Sequence, residues 1–375
     1  MNIPAWPQFD KNEMEMLNRV LASEQWGGFH PFVSEFESRF ASYHQASEGI
    51  STFNGTVSLE LALTVLGVGP GDEVIVPAIS FISTATSVSR VGALPVFVDI
   101  EKHSFTIDPE RVREAIGPRT KVVMPVHFGG ALCRMDEIEK LCREHEIALV
   151  EDAAQAHGGE WNGRRAGNWG AFGSFSFQNG KVMCAGEGGM LLTSRPDLAE
   201  VARSIANQGR MAGRSFYEHH RLGTNFRITA FQAAVLLAQL EKLPAQIERR
   251  TKNAVRVRDA LNEEIIWQTL PREITQHPFY LLLGRVRGGR AARDEFRRRI
   301  TAAGVPCTPF YPHTLYQNPL YQNRGSCRVL PCPNAEEYLA DAFWLPHRVL
   351  LSDDETMEEI TALIREAAAA ASTAT

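Results

Sequence analysis

The middle of the chain alternates between two kinds of pattern. Between about residues 56 and 205, short apolar runs rich in β-branched residues are separated by segments with charged residues at helical spacing. Such runs are typical of strands buried on both faces, and such segments are typical of helices that cover a parallel sheet. The predicted strands are 73–77, 94–100, 121–127, 147–151, 173–177 and 189–193. Surface helices with right-handed crossovers are expected over 108–116 and 135–146.

The pattern changes after Thr229, where a long helical stretch is interrupted only by Pro244. The elements predicted beyond it are a strand at 279–286, an arginine-rich helix at 291–303 and a last helix at 354–370. They indicate a smaller α+β unit, and residues 368–375 are expected to fray. We therefore predict an α/β protein of two packed domains, a large one over 1–245 with an N-terminal arm and a small one over 246–375.

The composition suits a globular protein, because 44% of the 375 residues are hydrophobic and 22% are charged. A formal net charge of −5 is too small to favour nucleic acid or an anionic membrane. The apolar runs are shorter than the roughly 20 residues that a bilayer requires, and the N-terminal residues lack the pattern of a signal peptide. We therefore expect a cytoplasmic protein. The six cysteines have no CxxC spacing, so we expect reduced thiols and no metal site.

The strongest local signal surrounds Lys181. This lysine follows a predicted apolar strand and precedes a glycine-rich stretch at 186–189. Burying an ammonium group without a partner is costly, so a lysine in this setting favours a special role. The functional interpretation is covalent catalysis through its amine. An isolated lysine is more often a solvated loop residue, so its neighbours decide the interpretation.

Two other segments supply such neighbours. Asp152 follows an apolar strand, at the end of a parallel sheet where open α/β folds bind ligands, and it can pair there with a protonated ring nitrogen. A helix N-cap is the alternative role for Asp152. The triplet Asn54, Gly55 and Thr56 opens a helical run, and free N–H groups at a helix start attract phosphate. An anion cradle, a strand-end aspartate and a strand-end lysine are together what a pyridoxal phosphate (PLP) site requires.

On these motifs the sequence resembles the DegT/DnrJ/EryC1/StrS aminotransferases, a sugar aminotransferase branch of the fold-type-I PLP enzymes. The resemblance covers nearly the whole chain. It is carried by NGT, GDEVIVPAISFISTA, FVDIE, TKVVMPVHFGG, EDAAQAHG, SFSFQNGK, GEGG, NFRITAFQAAV and WLPHRVLLS. The resemblance implies a large PLP-binding domain with a mostly parallel sheet between helices, and a smaller C-terminal α+β domain.

The resemblance also implies roles for single residues. Lys181 matches the lysine that binds PLP covalently and shuttles the proton, and Asp152 matches the partner of the pyridine nitrogen. Gln155 matches the residue beside the phenolic oxygen, and Phe81 matches the aromatic residue that stacks on the ring, although it could also be an ordinary core phenylalanine. Three positions match phosphate-binding residues: Gly55, Thr56 and Ser176.

Further implied contacts come from other parts of the assembly. Asn225 matches an asparagine that reaches the phosphate across a dimer interface, which implies a homodimer with shared active sites. Four residues of the small domain resemble positions that close over the substrate: Tyr311, His313, His347 and Arg348.

Within the family, SFQNGK and the opening PAWPQFD are most similar to the 3-amino-5-hydroxybenzoate synthases and the glutamine:scyllo-inosose aminotransferases. This similarity implies L-glutamine or L-glutamate as amino donor and a ketone on a six-membered polyhydroxylated ring as acceptor, in a ping-pong reaction. It leaves open the nature of the acceptor, whether the acceptor carries a nucleotide, and which donor is used.

Three alternatives are weighed against this interpretation. A PLP dehydratase that aromatises an amino-dehydroshikimate type of ring keeps the lysine and stays open, whereas sugar 3-dehydratases of the family typically carry histidine where Lys181 stands. A non-catalytic regulator is expected to lose Lys181 or Asp152, and both are present. A nicotinamide dehydrogenase requires a GxGxxG motif after the first strand, which the sequence lacks.

Several histidines and arginines receive no role. His127 and His157 follow strands but are expected only to pack, and the pair His219 and His220 lacks metal-ligand spacing. The arginines of the helix predicted at 291–303 and its flank are expected to form a solvated face. They are Arg290, Arg293, Arg297, Arg298 and Arg299.

Overall fold

The computed structural model describes residues 1–322 and 327–372. The α-helices of these residues are α1 (Lys11–Ser23), α2 (Pro31–Tyr43), α3 (Gly55–Val65), α4 (Ser83–Arg90), α5 (Pro109–Ala115), α6 (Met135–Glu144), α7 (Pro196–Ala206), α8 (Ala230–Ala260), α9 (Gly289–Ala302), α10 (Pro319–Gln322), α11 (Pro333–Asp341) and α12 (Asp354–Ser372). The strands are β1 (Glu48–Thr52), β2 (Glu73–Pro77), β3 (Leu94–Val98), β4 (Thr120–Val123), β5 (Ala148–Asp152), β6 (Glu160–Trp161), β7 (Arg164–Arg165), β8 (Phe172–Ser176), β9 (Gly189–Thr193), β10 (Ile265–Trp267), β11 (Ile274–Gln276), β12 (Leu281–Val286), β13 (Thr308–Pro309), β14 (Arg328–Val329) and β15 (Ala342–Pro346).

The large sheet has the strand order β1-β9-β8-β5-β4-β2-β3-β14. All neighbouring strands from β8 to β14 are parallel, whereas β9 runs antiparallel to both β8 and β1. Every residue of β2, β8 and β9 is buried, as expected for strands with helices on both faces. The predicted mostly parallel α/β architecture is therefore confirmed.

All six strands predicted for this region are present. The bounds of β2 and β9 agree with the prediction, and β3, β5 and β8 differ by one or two residues. The largest error is at β4, which ends at Val123 rather than at residue 127. Pro125 has no N–H to donate to a neighbouring strand, and a 3₁₀ turn over Phe128–Gly130 follows it. The regular strand therefore ends earlier than the apolar pattern indicates, although Val126 still forms an isolated bridge to Asp152 of β5.

A second sheet, β10-β12-β15-β13, lies in the C-terminal part of the chain. Its core includes residues of α8, α9 and α12, and the three elements predicted there are present as β12, α9 and α12. The C-terminal part also pairs with strands from the first half of the chain, because β14 pairs with β3 and β11 pairs with β6. This pairing places side chains of the C-terminal part beside the carboxyl ends of the large sheet.

The predicted interruption at Pro244 is wrong. The helix α8 continues through the proline from Ala230 to Ala260, although a proline removes one hydrogen bond from a helix interior. Leu243 and Ile247 on either side of it are buried, so packing outweighs the local cost. The proposed division at 245/246 therefore falls inside one continuous helix.

Three other expectations need correction or completion. The helices α1 and α2 and the strand β1 precede the region in which elements were predicted, and the sequence pattern did not reveal them.

Arg293 does not belong to a solvated face, because it is buried and its guanidinium donates to the carbonyl oxygens of Leu339 and Ala342. Residues 368–371 are helical rather than frayed, and 373–375 lie outside the described residues.

The cysteines lie apart from one another, and most of them are in the protein interior. All six cysteines are free thiols, and all except Cys327 are buried. Among the described residues, no helix combines the length and the hydropathy needed to cross a bilayer.

Glu151 holds together the loop between β7 and β8. Its buried carboxylate accepts hydrogen bonds from the N–H groups of Gly167 (2.7 Å) and Trp169 (2.6 Å), and it contacts the ring nitrogen Nε2 of His127 at 3.0 Å. A fully buried carboxylate is tolerated only when such donors replace its hydration shell. Glu151 is therefore a structural residue, and it explains the burial of His127.

We predict that Glu151→Ala destabilises the cofactor-free protein by roughly 3–5 kcal/mol, because the substitution leaves buried N–H groups without an acceptor. The measurement is urea unfolding at a fixed protein concentration. The control is Glu263→Ala, which truncates an exposed glutamate and is expected to leave the unfolding midpoint unchanged. Equal midpoints for the two variants would contradict the structural role.

Candidate active site

A cavity of about 450 Å³ lies at the carboxyl ends of β5 and β8. Both the large sheet and the C-terminal part of the chain contribute to its walls. Nine residues singled out in the sequence line it: Asn54, Gly55, Thr56, Phe81, Asp152, Gln155, Ser176, Lys181 and Tyr311. Segments far apart in the sequence therefore converge on one space, at the position where open α/β sheets bind ligands.

Asp152 is the last residue of β5 and is 6% exposed. Its carboxylate accepts hydrogen bonds from the Thr84 hydroxyl (2.7 Å) and from the Ala154 N–H group (3.3 Å). Thr84 is in turn bonded to the Ser80 hydroxyl at 2.7 Å. Burial raises the pKa of Asp152 above its usual value, and these two bonds oppose the shift only in part. A cation placed against this carboxylate would be strongly favoured.

The start of α3 forms another wall. Asn54 caps the helix by accepting from the Val57 N–H at 3.0 Å, and the first N–H groups of the helix, at Gly55 and Thr56, have no carbonyl partner within the helix. A Cβ atom on Gly55 would lie 2.8 Å from the Cβ of Ser176, so only glycine allows this close approach. The hydroxyls of Thr56 and Ser83 lie 2.8 Å apart beside it. N–H groups and hydroxyls at a helix start are suited to an anion.

Lys181 lies in a turn between β8 and β9, five residues beyond the strand rather than at its end. We call residues 178–181 the lysine turn. The Lys181 N–H donates to the Gln178 carbonyl at 2.9 Å, and the Gly180 N–H donates to the Gln178 side chain at 2.8 Å. The lysine is half-buried, and its Nζ lies 4.8 Å from the ring centroid of Tyr280. The amine thus faces the cavity over an aromatic ring.

Two buried side chains set the geometry behind these residues. The Oε1 atom of Gln155 accepts a hydrogen bond from the Gly129 N–H at 2.7 Å, which fixes the orientation of the amide at the cavity wall. The ring of His157 bonds through Nε2 to the carbonyl oxygen of Ser176 at 2.9 Å. Burial holds the pKa of His157 well below its usual range, so this ring is neutral and donates to Ser176.

The remaining wall is aromatic. Tyr280, Tyr311 and Trp344 come from the C-terminal part, and the rings of Tyr311 and Trp344 meet edge to face with centroids 5.6 Å apart. Burial raises the pKa of Tyr311 far above its usual value, so its phenol keeps its proton. Phe81, from the large domain, is 58% exposed and lines the same cavity.

Four residues named in the sequence lie outside this lining. His313 is exposed, and Arg348 donates a hydrogen bond to the Pro4 carbonyl at 3.0 Å. His347 is buried behind the lysine turn, with its Nε2 3.2 Å from the carbonyl oxygen of Gly180. Asn225 is exposed, and its Oδ1 accepts from the Arg227 N–H at 3.3 Å.

Sequence reasoning missed several residues that the structure places in the site. Ser83, Tyr280, Trp344 and Glu187 line the cavity, and Thr84 orients Asp152. Glu187 stands in the glycine-rich stretch that drew attention to Lys181, so its position was an available signal. Ser83, Thr84 and Trp344 also stand in the quoted motifs GDEVIVPAISFISTA and WLPHRVLLS, whereas Tyr280 lies outside them and only its spatial neighbours reveal a role.

The residues present fit PLP. The cradle at Gly55 has room for no side chain but offers N–H groups and hydroxyls to a phosphate. The buried carboxylate of Asp152 accepts only from neutral donors and suits a protonated ring nitrogen. Lys181 lies in the same cavity as both.

Comparison with known proteins agrees with this geometry. The family model of the DegT/DnrJ/EryC1/StrS aminotransferase family matches residues 7–365. The 3-amino-5-hydroxybenzoate synthase of Amycolatopsis mediterranei (strain S699) is 36% identical over 98% of this chain and 98% of its own length. The L-glutamine:2-deoxy-scyllo-inosose aminotransferase of Micromonospora echinospora is 33% identical over 95% of this chain and 92% of its own length.

Solved structures show the same relationship. The structure of a 3-amino-5-hydroxybenzoic acid synthase superposes with a TM-score of 0.93 at 36% identity, covering 98% of this chain and 99% of that chain. The PLP form of a sugar aminotransferase from Streptococcus pneumoniae superposes with a TM-score of 0.88 at 26% identity, covering 98% of this chain and 100% of that chain. The chain therefore belongs to the DegT/DnrJ/EryC1/StrS aminotransferase family and is a PLP-dependent aminotransferase of fold type I.

Proposed function

We propose that this aminotransferase moves an amino group from L-glutamine or L-glutamate to a ketone on a six-membered polyhydroxylated ring, by a ping-pong reaction in one site. The observation that carries the proposal is the single cavity in which Asp152, Lys181 and the start of α3 meet. The L-glutamine:scyllo-inosose aminotransferase activity of a relative supports this donor and this class of acceptor. The products of such a reaction are amino sugars or aminocyclitols, the building blocks of antibiotics of that class.

Bound PLP supplies an aldehyde carbon and an electron-withdrawing ring, which stabilise negative charge on the carbon next to the transferred nitrogen. In the proposal, the Lys181 amine holds the cofactor and then moves the proton at that carbon. The Asp152 carboxylate keeps the ring nitrogen protonated, and Thr84 holds this carboxylate in place. Gln155, fixed by Gly129, offers its amide N–H₂ to the phenolic oxygen.

The phosphate is assigned to the start of α3, where the N–H groups of Gly55 and Thr56 and the hydroxyl of Ser176 converge. The ring of Phe81 is assigned to stacking on the cofactor, which agrees with its 58% exposure in the cofactor-free chain. An aromatic ring that is exposed on a cavity wall gains burial when a second ring lies against it.

The aromatic wall supports a ring-shaped acceptor. Tyr280, Tyr311 and Trp344 offer flat faces for the C–H side of a cyclic polyol and carry N–H or O–H groups at their edges for its hydroxyls. Glu187 is an exposed carboxylate on the same cavity and can accept from further hydroxyls. This combination favours a compact neutral ring over an acyclic acid as acceptor.

A second candidate is a PLP dehydratase that aromatises an amino-dehydroshikimate type of ring, as the name of the synthase relative indicates for that protein. It is favoured by the coverage of that match, which extends over 98% of both chains. Both reactions use a lysine amine as the proton carrier, so Lys181 does not separate them.

We also propose that the active form is a homodimer with shared sites. Asn225 lies outside the cavity of its own chain, in a part of the surface rich in exposed apolar side chains. Leu222 is 97% exposed, and Phe226 packs against Phe53, which directly precedes the cavity residue Asn54. A second copy of the chain placed on this surface would cover these side chains and bring its Asn225 toward a phosphate.

The first test is a visible absorption spectrum of the PLP-loaded protein before and after L-glutamine, with L-glutamate in parallel. We expect a long-wavelength band that disappears with the preferred donor, and no such band in Lys181→Ala. Lys121→Ala, which truncates an exposed lysine of β4, serves as the matched control and should keep the band. A variant lacking Lys181 that turns over at the wild-type rate would rule out the proposed mechanism.

The donor-treated protein then receives a keto-cyclitol, whereas an untreated PLP-loaded sample receives an amino-dehydroshikimate, whose amine requires the aldehyde form of the cofactor. Return of the long-wavelength band with the keto-cyclitol supports aminotransfer. A new near-ultraviolet absorption of an aromatic product with the second compound would instead favour the dehydratase.

The second prediction concerns Asp152 and pH. Because the folded-state pKa of Asp152 is raised, the folded protein binds this proton more tightly than the unfolded chain, and stability falls as the pH rises from 3.8 through the folded value. Cofactor-free Asp152→Asn should therefore have a higher urea midpoint than wild type at pH 7, and the gap between the two midpoints should narrow as the pH is lowered through the folded-state pKa toward 3.8. Asp259→Asn, at an exposed position, should show no such trend. PLP should reverse the order by stabilising wild type more. If Asp152→Asn is less stable at every pH, the burial argument is wrong.

The third prediction tests the shared site by complementation. Lys181→Ala and Asn225→Ala chains carrying different tags are expressed together, and the heterodimer is purified. In a heterodimer one site has both defects and the other has neither, so about half of its sites should be active. Homodimers of either variant prepared in the same way are the controls. A folded heterodimer as inactive as these controls would exclude the contribution of Asn225 from the partner subunit.

A further inference from the structure

The lysine turn is held from outside by two aromatic N–H groups. The carbonyl oxygen of Asn179 accepts from Trp6 Nε1 at 3.0 Å, and the carbonyl oxygen of Gly180 lies 3.2 Å from His347 Nε2. These are consecutive peptide groups directly before Lys181. The two donors come from opposite ends of the sequence, so neither contact is visible in the motif around the lysine.

The two donor rings are also packed together. The rings of Trp6 and His347 meet edge to face with centroids 4.4 Å apart, and the His347 ring stacks on Tyr280 with centroids 6.0 Å apart. Tyr280 is the ring that faces the Lys181 amine at 4.8 Å. Trp6 and His347 therefore act on Lys181 in two ways: they bind the backbone directly before it, and His347 packs against the ring that faces its side-chain nitrogen.

His347 is fixed in the orientation that this contact needs. It is 2% exposed, and its backbone N–H donates to the Tyr280 carbonyl at 3.1 Å. Burial holds its pKa well below the usual range, so the ring is neutral and carries one proton. Within the described residues Nδ1 has no hydrogen-bond partner, whereas Nε2 faces a carbonyl oxygen, which places the proton on Nε2.

The N-terminal segment is anchored on both sides of Trp6. The Pro4 carbonyl accepts from Arg348, next to His347 in the sequence, and the Asn2 N–H donates to the Thr356 hydroxyl at 3.2 Å. On the other side, the Gln8 carbonyl accepts from Gln239 of α8 at 2.8 Å. Trp6 is therefore held over the lysine turn by contacts with both parts of the chain.

We propose that Trp6 and His347 are positioning residues that fix the backbone of the lysine turn and thereby the reach of the Lys181 amine. In this role His347 acts on the carbonyl of Gly180 rather than on the substrate. The inference rests on the proposed function of Lys181, since it states how that amine is aimed.

The test compares Trp6→Phe, which keeps a ring but removes the N–H donor, with Trp267→Phe. Trp267 Nε1 is a buried atom without a hydrogen-bond partner in the described residues, so its loss controls for a general effect of the substitution. At position 347, His347→Leu removes the donor, and His347→Gln restores an N–H group at about the same reach. The readouts are the PLP dissociation constant, the pH at which the visible band titrates, and kcat and KM for the amino donor.

We expect Trp6→Phe and His347→Leu to weaken PLP binding about 2- to 10-fold, the effect of one lost hydrogen bond. Both should move the pH of the band and lower kcat for the donor with little change in KM. His347→Gln should recover most of the loss, and Trp267→Phe should behave as wild type. Wild-type affinity and titration in Trp6→Phe would overturn the proposal, as would equal losses in Trp6→Phe and Trp267→Phe.

A measurement on the cofactor-free protein separates this inference from the proposed function. Amide hydrogen exchange of the peptide that spans the lysine turn should be faster in Trp6→Phe and in His347→Leu than in Trp267→Phe and wild type. Unchanged exchange would count against the positioning role even if PLP binds. If exchange is faster in these variants but the wild-type protein shows no visible band with PLP, then Trp6 and His347 do hold the lysine turn, and the proposed role of Lys181 is wrong.

Discussion

The carboxylate of Asp152, buried at the end of β5, is the constraint around which the site is arranged. Neighbouring residues of a strand point to opposite faces of the sheet, so Glu151 and Asp152 serve different surroundings although they are adjacent. The carboxylate of Glu151 is matched by backbone N–H groups and a histidine ring nitrogen. The carboxylate of Asp152 accepts only from the Thr84 hydroxyl and the Ala154 N–H, and burial raises its pKa. One strand end thus carries a carboxylate with several donors, which serves stability, and a carboxylate with few donors, which serves binding.

The small number of donors to Asp152 explains why the cavity favours a positively charged ligand. The cost of burying Asp152 is recovered when a cation lies against it, so the folded chain is prepared for a ring that carries positive charge. Thr84 and Ser80 hold the carboxylate without neutralising it, because hydroxyl groups orient a charge but add none. A lysine or arginine in the place of Thr84 would stabilise the free protein and compete with the ligand.

Most strands of the large sheet could be predicted from the sequence. The strands β2 and β9 and their neighbours are buried on both faces, so they appear in the sequence as apolar runs. The apolar run of β5 ends at Asp152, which predicted this residue at the carboxyl edge of the parallel strands. The pattern failed where packing decides, as at Pro244, which sits inside α8, and at Arg293, which is buried against backbone carbonyls. It also left out α1 and α2, which precede the region in which elements were predicted.

The site residues divide in the same way. Lys181, Asp152 and Gly55 stand in motifs whose backbone setting is special, so sequence alone could single them out. Tyr280 lies outside the quoted motifs, and although Trp6 and Trp344 stand in PAWPQFD and WLPHRVLLS, the relation of all three rings to the lysine is visible only in three dimensions.

The contacts of the lysine turn also bear on how the two parts of the chain move. The turn belongs to the large sheet, yet its outer carbonyls are held by the N-terminal segment and by His347. The α8 helix continues through the proposed domain boundary, and the N-terminal segment is tied to it at Gln239. A hinge that opened the cavity by moving the C-terminal part would therefore pull directly on the peptide groups before Lys181.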